Sequence, residues 1–62
     1  MNDVKKLVNK YGFSKYKIAS LVGVSWNTVS NWYKNFYYPN SVNKSKLQTI
    51  LENAKSKVED GE

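Results

Sequence analysis

The chain of 62 residues contains no cysteine, no histidine and no arginine. Missing thiols exclude a disulfide framework and the missing cysteine–histidine set excludes a zinc-held fold, so the core must come from side chains alone. Acids are confined to the two ends of the chain. Nothing therefore supplies a nucleophile and base pair, paired carboxylates or a metal site, and an enzyme, a cofactor and a small-molecule substrate are not expected. No apolar run reaches the length of a membrane span, and the first residues lack the hydrophobic stretch of a secretory leader. A cytoplasmic protein is expected. No repeat, low-complexity tract or linker is present, and a chain of this size suits one small domain that buries only about 60% of its unfolded surface.

What is abundant is positive charge. The formal net charge is +5, and the interval between Asp3 and Glu52 holds eight lysines and no acid. Such a stretch sets up a field that attracts polyanions, although lysines also serve simply to keep a small protein soluble. The interval coincides with a motif that points to nucleic acid.

That motif spans Lys15 to Lys34, KYKIASLVGVSWNTVSNWYK. Ile18, Leu21 and Val22 recur at helical spacing, and Ala19 beside them allows close approach of another helix. Gly23 can stop this helix in the left-handed region and redirect the chain. Ser25 can cap a new helix beginning at Trp26, with Val24 stapled onto Val29. Two short helices around one tight turn describe a helix-turn-helix, whose second helix is built to enter the major groove.

At about 100° per residue, Asn27, Ser30, Asn31 and Lys34 share one side of that second helix, while Val29, Trp32 and Phe36 share the other. The polar side carries two carboxamides, a hydroxyl and a cation. A solvated helix face is the plain alternative for such a stripe, and the turn spacing favours recognition. Trp26 falls between the two sides: it either caps the core beside Tyr33 or presents its ring to a thymine methyl or a sugar.

Ala19, Gly23, Val24-Ser25, Val29 and Trp32, with Ile18 and Val22 at the positions that lock the two helices, resemble the phage repressor and Cro type of helix-turn-helix regulators, also called the Xre type. The resemblance covers roughly residues 4 to 54. It implies an all-α, small four-helix, lambda-repressor-like domain that regulates transcription by sequence-specific binding of double-stranded DNA, as a homodimer on DNA. Carried onto this chain, it implies base contacts from Trp26, Asn27 and Asn31, and phosphate contacts from Lys15, Ser25, Thr28, Ser30 and Lys34. Three positions depart from the family pattern: Lys15 stands where a phosphate-binding glutamine is common, and Asn35 where a glycine often ends the recognition helix. The third departure, the lack of arginine, removes the commonest bidentate guanine reader.

Around the motif, a first helix is expected from Asp3 to Tyr11 with Gly12 as its stop, and the second helix follows Ser14 with Phe13 stapled onto Ile18. The third runs from about residue 26 to 35. Phe36 to Asn40 forms the one real loop, since Pro39 biases Tyr38 away from helix; Tyr37 and Tyr38 are expected to pack beneath the fourth helix. That helix follows Asn43 as its cap, with Val42 stapled onto Leu47 and a face of Leu47, Ile50, Leu51, Ala54 and Val58. The core is drawn from Leu7, Val8, Phe13, Ile18, Leu21, Val22, Val29, Trp32, Phe36, Leu47, Ile50 and Leu51. Residues 1–58 form the DNA-binding domain, and 59–62 an acidic, frayed tail. Lys5, Lys6, Lys10 and Lys17 are read as solvated or steering charges.

Two rivals to DNA binding follow from the same residues. A basic amphipathic peptide at a membrane surface is disfavoured because the first helix is short and its apolar face is needed for the core. A protein-interaction module, antitoxin-like or an assembly factor, would keep the fold but show apolar anchors on the third helix, where this chain shows polar groups. Recombination control is a further use of the same DNA-binding fold.

Overall fold

Side-chain oxygens start all four helices. Asn2 accepts a hydrogen bond from the Lys5 N–H at 3.1 Å, Ser14 from Lys17 at 3.0 Å, Ser25 from Thr28 at 3.2 Å and Asn40 from Asn43 at 2.9 Å. Each satisfies an otherwise orphan donor of a first turn, an effect of about 1 kcal/mol. From these caps run α1 (Asp3–Asn9), α2 (Lys15–Val22), α3 (Trp26–Tyr33) and α4 (Ser41–Asp60). The computed structural model describes residues 2–60, and side chains through Lys57. Among the described residues there is no strand, and the domain is all-α with the four helices that the sequence predicts.

The turn between α2 and α3 is set by Gly23 at φ 87°, with the N–H groups of Gly23 and Val24 both returning to the Ala19 carbonyl at 2.8 and 3.0 Å. Asn35, at φ 63°, ends α3 in the same way: Asn35 N–H bonds the Trp32 carbonyl and Phe36 N–H the Asn31 carbonyl, a left-handed closure by the residue that tolerates it best after glycine.

Helices α1 and α2 both pack against α3 and against α4, which places one core between them. Leu7, Ile18, Val22, Val29 and Leu47 are fully buried, with Val4, Ala19, Trp32 and Ala54 completing the centre and Val8, Phe13, Ile50 and Leu51 half-buried around it. Two polar ties hold the helix ends. Asn2 Nδ2 donates to the Trp32 carbonyl at 2.6 Å and to Asn35 Oδ1 at 2.9 Å, joining the start of α1 to the end of α3. Lys46 Nζ donates to the Val22 carbonyl at 3.2 Å, placing a cation at the end of α2 where the helix dipole favours it.

Several expectations are corrected. Leu21 is 53% exposed: Ala19 and Leu21 flank the Ile18–Val22 line on opposite sides, and α2 turns the Ala19 flank inward. Phe36 is 67% exposed because the helical wheel ceases to apply once Asn35 reverses the chain. Tyr37 and Tyr38 project from the connection and are exposed, not packed beneath α4. Helix α4 begins two residues before the expected cap, since Asn40 after Pro39 caps it and Asn43 lies in its first turn; Val42 is exposed and forms no staple. Helices α1 and α3 each end two residues short of the expected limits, at Asn9 and Tyr33. Helix α4 runs through Asp60, into the segment expected to be a frayed tail. The side chain of Val58 and residues 61 and 62 lie outside the described residues.

Candidate nucleic-acid interface

Helix α3 is held on one side and open on the other. Val29 and Trp32 enter the core, whereas Asn27 is exposed and Asn31 half-buried one turn along, so their carboxamides stand on the outward side. Ser30 corrects the expected polar stripe. It is 3% exposed, because α3 touches both α1 and α2 and its buried sector is wider than the Val29–Trp32 line; the small hydroxyl side chain at that border allows close packing. A phosphate contact by Ser30 is not available in this arrangement.

At the start of α3, the hydroxyls of Ser25 and Thr28 share a hydrogen bond of 2.9 Å in addition to the cap, so both oxygens are oriented at the N-terminal end. At the other end, Lys34 is the exposed C-cap residue, its Nζ 5.8 Å from the Phe36 ring centre. Lys15 opens α2 and is half-buried. Its ammonium lies 4.5 Å from the Tyr33 ring centre and 5.7 Å from that of Trp26. Trp26 in turn stacks at 5.8 Å, tilted, on the exposed Tyr16. With 39% of its surface exposed, Trp26 belongs to this cation–aromatic rim beside α2 and does not close the core.

The structure thus brings Asn27 and Asn31 together on α3, and Trp26 with Lys15 on its α2 side. Lys34 stands apart at the far end. The sequence marks Tyr33 only as a neighbour of Trp26 and Lys5 only as a solvated or steering charge, and it does not mark Tyr16; the Lys5 ammonium is 5.8 Å from the same Tyr33 ring. Neither periodicity nor spacing could have paired Lys5 with residues on α2 and α3, because the pairing is made only by packing of α1. The ammonium groups of Lys10 and Lys17 stand over the rings of Tyr11 and Phe13 at 5.5 and 4.9 Å, so each exposed charge is held against an aromatic face.

Nothing among the described residues gathers three or more metal-ligating side chains. A cleft lined by Asn2, Val4, Trp32, Tyr38, Pro39 and Leu47 lies beside the α3–α4 connection and includes none of the predicted DNA-contacting residues. No helix among the described residues is long and apolar enough to cross a membrane.

With the outward carboxamide residues, the cation rim and the Gly23 turn in place, comparison with known families is decisive. The model of the bacteriophage CI repressor helix-turn-helix domain matches residues 3–52. The chain belongs to this family. No curated protein and no solved structure matches it. The match runs from the first residue of α1 past the core-facing Leu47, Ile50 and Leu51 of α4, so it takes in the whole helix-turn-helix and its support. As a CI repressor helix-turn-helix domain, this is a DNA-binding regulator, and double-stranded DNA is the partner of the family.

Proposed function

We propose that α3 is the recognition helix, lying in the major groove of duplex DNA, and that the chain regulates transcription by sequence-specific binding in the manner of repressors and Cro proteins. The observation that carries this reading is the pair Asn27 and Asn31, on the outward side of a helix whose other side is locked into the core. A carboxamide matches the N6 and N7 edge of adenine bidentately, a contact worth about 1–3 kcal/mol of discrimination. Trp26 offers its ring to a thymine methyl or a sugar at the groove edge. Lys15 and Lys34 neutralise phosphates, and the hydroxyls of Ser25 and Thr28 contact the backbone at the N-terminus of α3.

One α3 reads only a few base pairs, so a homodimer on DNA is the proposed active form, with two recognition helices roughly 34 Å apart. Phe36, Tyr37 and Tyr38, exposed just beyond α3, supply the surface for a second copy. The same aromatics favour the rival reading as a protein-interaction module, since apolar anchors mark protein contacts. They follow Asn35, after the end of α3, whereas Asn27 and Asn31 lie within the helix, so the two groups take separate roles.

Binding to a random duplex across a salt series tests the proposal. Affinity should fall log-linearly with salt, with a slope of about −0.9 for each phosphate neutralised. An affinity indifferent to several-fold more salt, or no binding at low salt, would favour the rival.

A further inference from the structure

We propose that Tyr33 gathers Lys5 and Lys15 into one paired phosphate site, so that α1 takes part in holding DNA together with the helix-turn-helix. The proposal rests on the DNA-binding mode given above and extends it to a helix outside the motif. Lys5 comes from α1, Lys15 from the first turn of α2 and Tyr33 from the last turn of α3. Their convergence is therefore a product of tertiary packing. The two ammonium groups lie 5.8 and 4.5 Å from the centre of the same ring.

That ring is itself held. Tyr33 is half-buried against the core, and its hydroxyl donates to Asn9 Oδ1 at 3.3 Å, which ties it back to α1. Lys15 is further confined by the Trp26 ring. A lysine ammonium ordinarily sweeps through solvent on its long stem, whereas both ammonium groups here stand against one held ring, so part of the entropy of ordering them is already spent before any ligand arrives.

Two like charges brought to one ring repel each other, and the negative face of the ring offsets only part of that repulsion. No carboxylate occurs between Asp3 and Glu52 to neutralise them, and Asp3 itself lines the cleft beside Asn2, Trp32 and Leu47. Among the described residues no carboxylate pairs with either ammonium group, and an anion is what would complete the cluster. Two cations gathered at one ring of α3 suit successive phosphodiesters of a single DNA strand better than one isolated anion. Lys5 and Lys15 are then the phosphate-binding groups, and Tyr33 is a positioning residue that acts through them.

The test is the salt dependence of binding of the full chain to a short, fluorescently labelled random duplex. Lys5→Gln should reduce the magnitude of the slope by about 0.9, the loss expected for one phosphate contact, whereas Lys57→Gln on the last turn of α4 should leave it as in the wild type. Tyr33→Phe keeps the ring and should keep the slope. In a Tyr33→Leu background, Lys5→Gln should change the slope less than it does in the wild type, because the lysine is no longer held. If Tyr33→Leu fails to fold by circular dichroism, Lys5→Gln and Tyr33→Phe still decide. A steep wild-type slope left unchanged by Lys5→Gln would overturn the paired site while leaving DNA binding intact. A flat wild-type slope would remove both.

Discussion

The two connections that flank α3 use the same devices and reach opposite outcomes. Each has a left-handed residue after a helix, Gly23 or Asn35, and a side-chain cap before the next, Ser25 or Asn40. Between Gly23 and Ser25 there is only Val24, half-buried against the core, so the short turn fixes how α2 and α3 meet. Between Asn35 and Asn40 lie Phe36, Tyr37 and Tyr38, all more than 60% exposed, ahead of Pro39. The short turn has one apolar side chain, Val24, and packs it on the core, whereas the residues added in the longer connection face solvent. The first connection serves the geometry of the recognition helix. The second presents surface.

The largest expected difference between the two regions is in stability. Ile18 is fully buried in α2, the helix that the short turn joins to α3, and Ile18→Ala should cost about 2–5 kcal/mol. In a domain this small, that is most of the available stability. Phe36→Ser, on the exposed connection, should stay within about 0.5 kcal/mol despite removing a larger ring. Urea unfolding of both variants checks the contrast. Equal losses would mean that Phe36 is packed in solution and that the two connections do not differ as described.

A smaller effect separates the two left-handed residues. A Cβ added to Gly23 meets nothing within 4 Å, so Gly23→Ala should cost only the backbone strain of φ 87°, about 1–2 kcal/mol. Asn35→Gly should relieve the strain of φ 63° but lose the exposed hydrogen bond from Asn2, leaving stability nearly unchanged. Thermal unfolding sharpens the comparison: a lowered midpoint for Gly23→Ala alone is expected. A comparable drop for Asn35→Gly would show that the Asn2 tie contributes more than the backbone strain it opposes.

The contrast also explains what could be read from the sequence. Local chemistry marked α1 to α3, the Gly23 stop and the Ser14 and Ser25 caps, because each depends on residues within a few positions. Wheel arithmetic placed Val29, Trp32, Asn27 and Asn31 correctly. It failed for Leu21 and Ser30, where the question is how wide a buried sector is and which flank turns inward, and those depend on the number of neighbouring helices. It failed for Phe36 because a left-handed residue ends the periodicity on which it rests. The Asn40 cap was legible in principle, as an asparagine after Pro39 and three residues before Asn43, but Val42 and Leu47 suggested a staple that the helix does not use. At the interface, Lys15, Trp26, Asn27 and Asn31 carried local or family signals. The meeting of Lys5 with Tyr33 had none, since it joins a residue of α1, outside the motif, to the last turn of α3.

The central claim is that α3 reads bases while the lysine rim holds the backbone. The most direct measurement is the ratio of affinities for a selected cognate duplex and a scrambled one at equal salt, in the wild type and in Asn31→Ala and Lys15→Ala, each confirmed folded. Asn31→Ala should lower the ratio by about 5- to 150-fold, the equivalent of about 1–3 kcal/mol, with little change on the scrambled duplex. Lys15→Ala should weaken both duplexes alike and preserve the ratio. If the two substitutions lower cognate and scrambled binding in the same proportion, α3 is not the reading element and the claim fails.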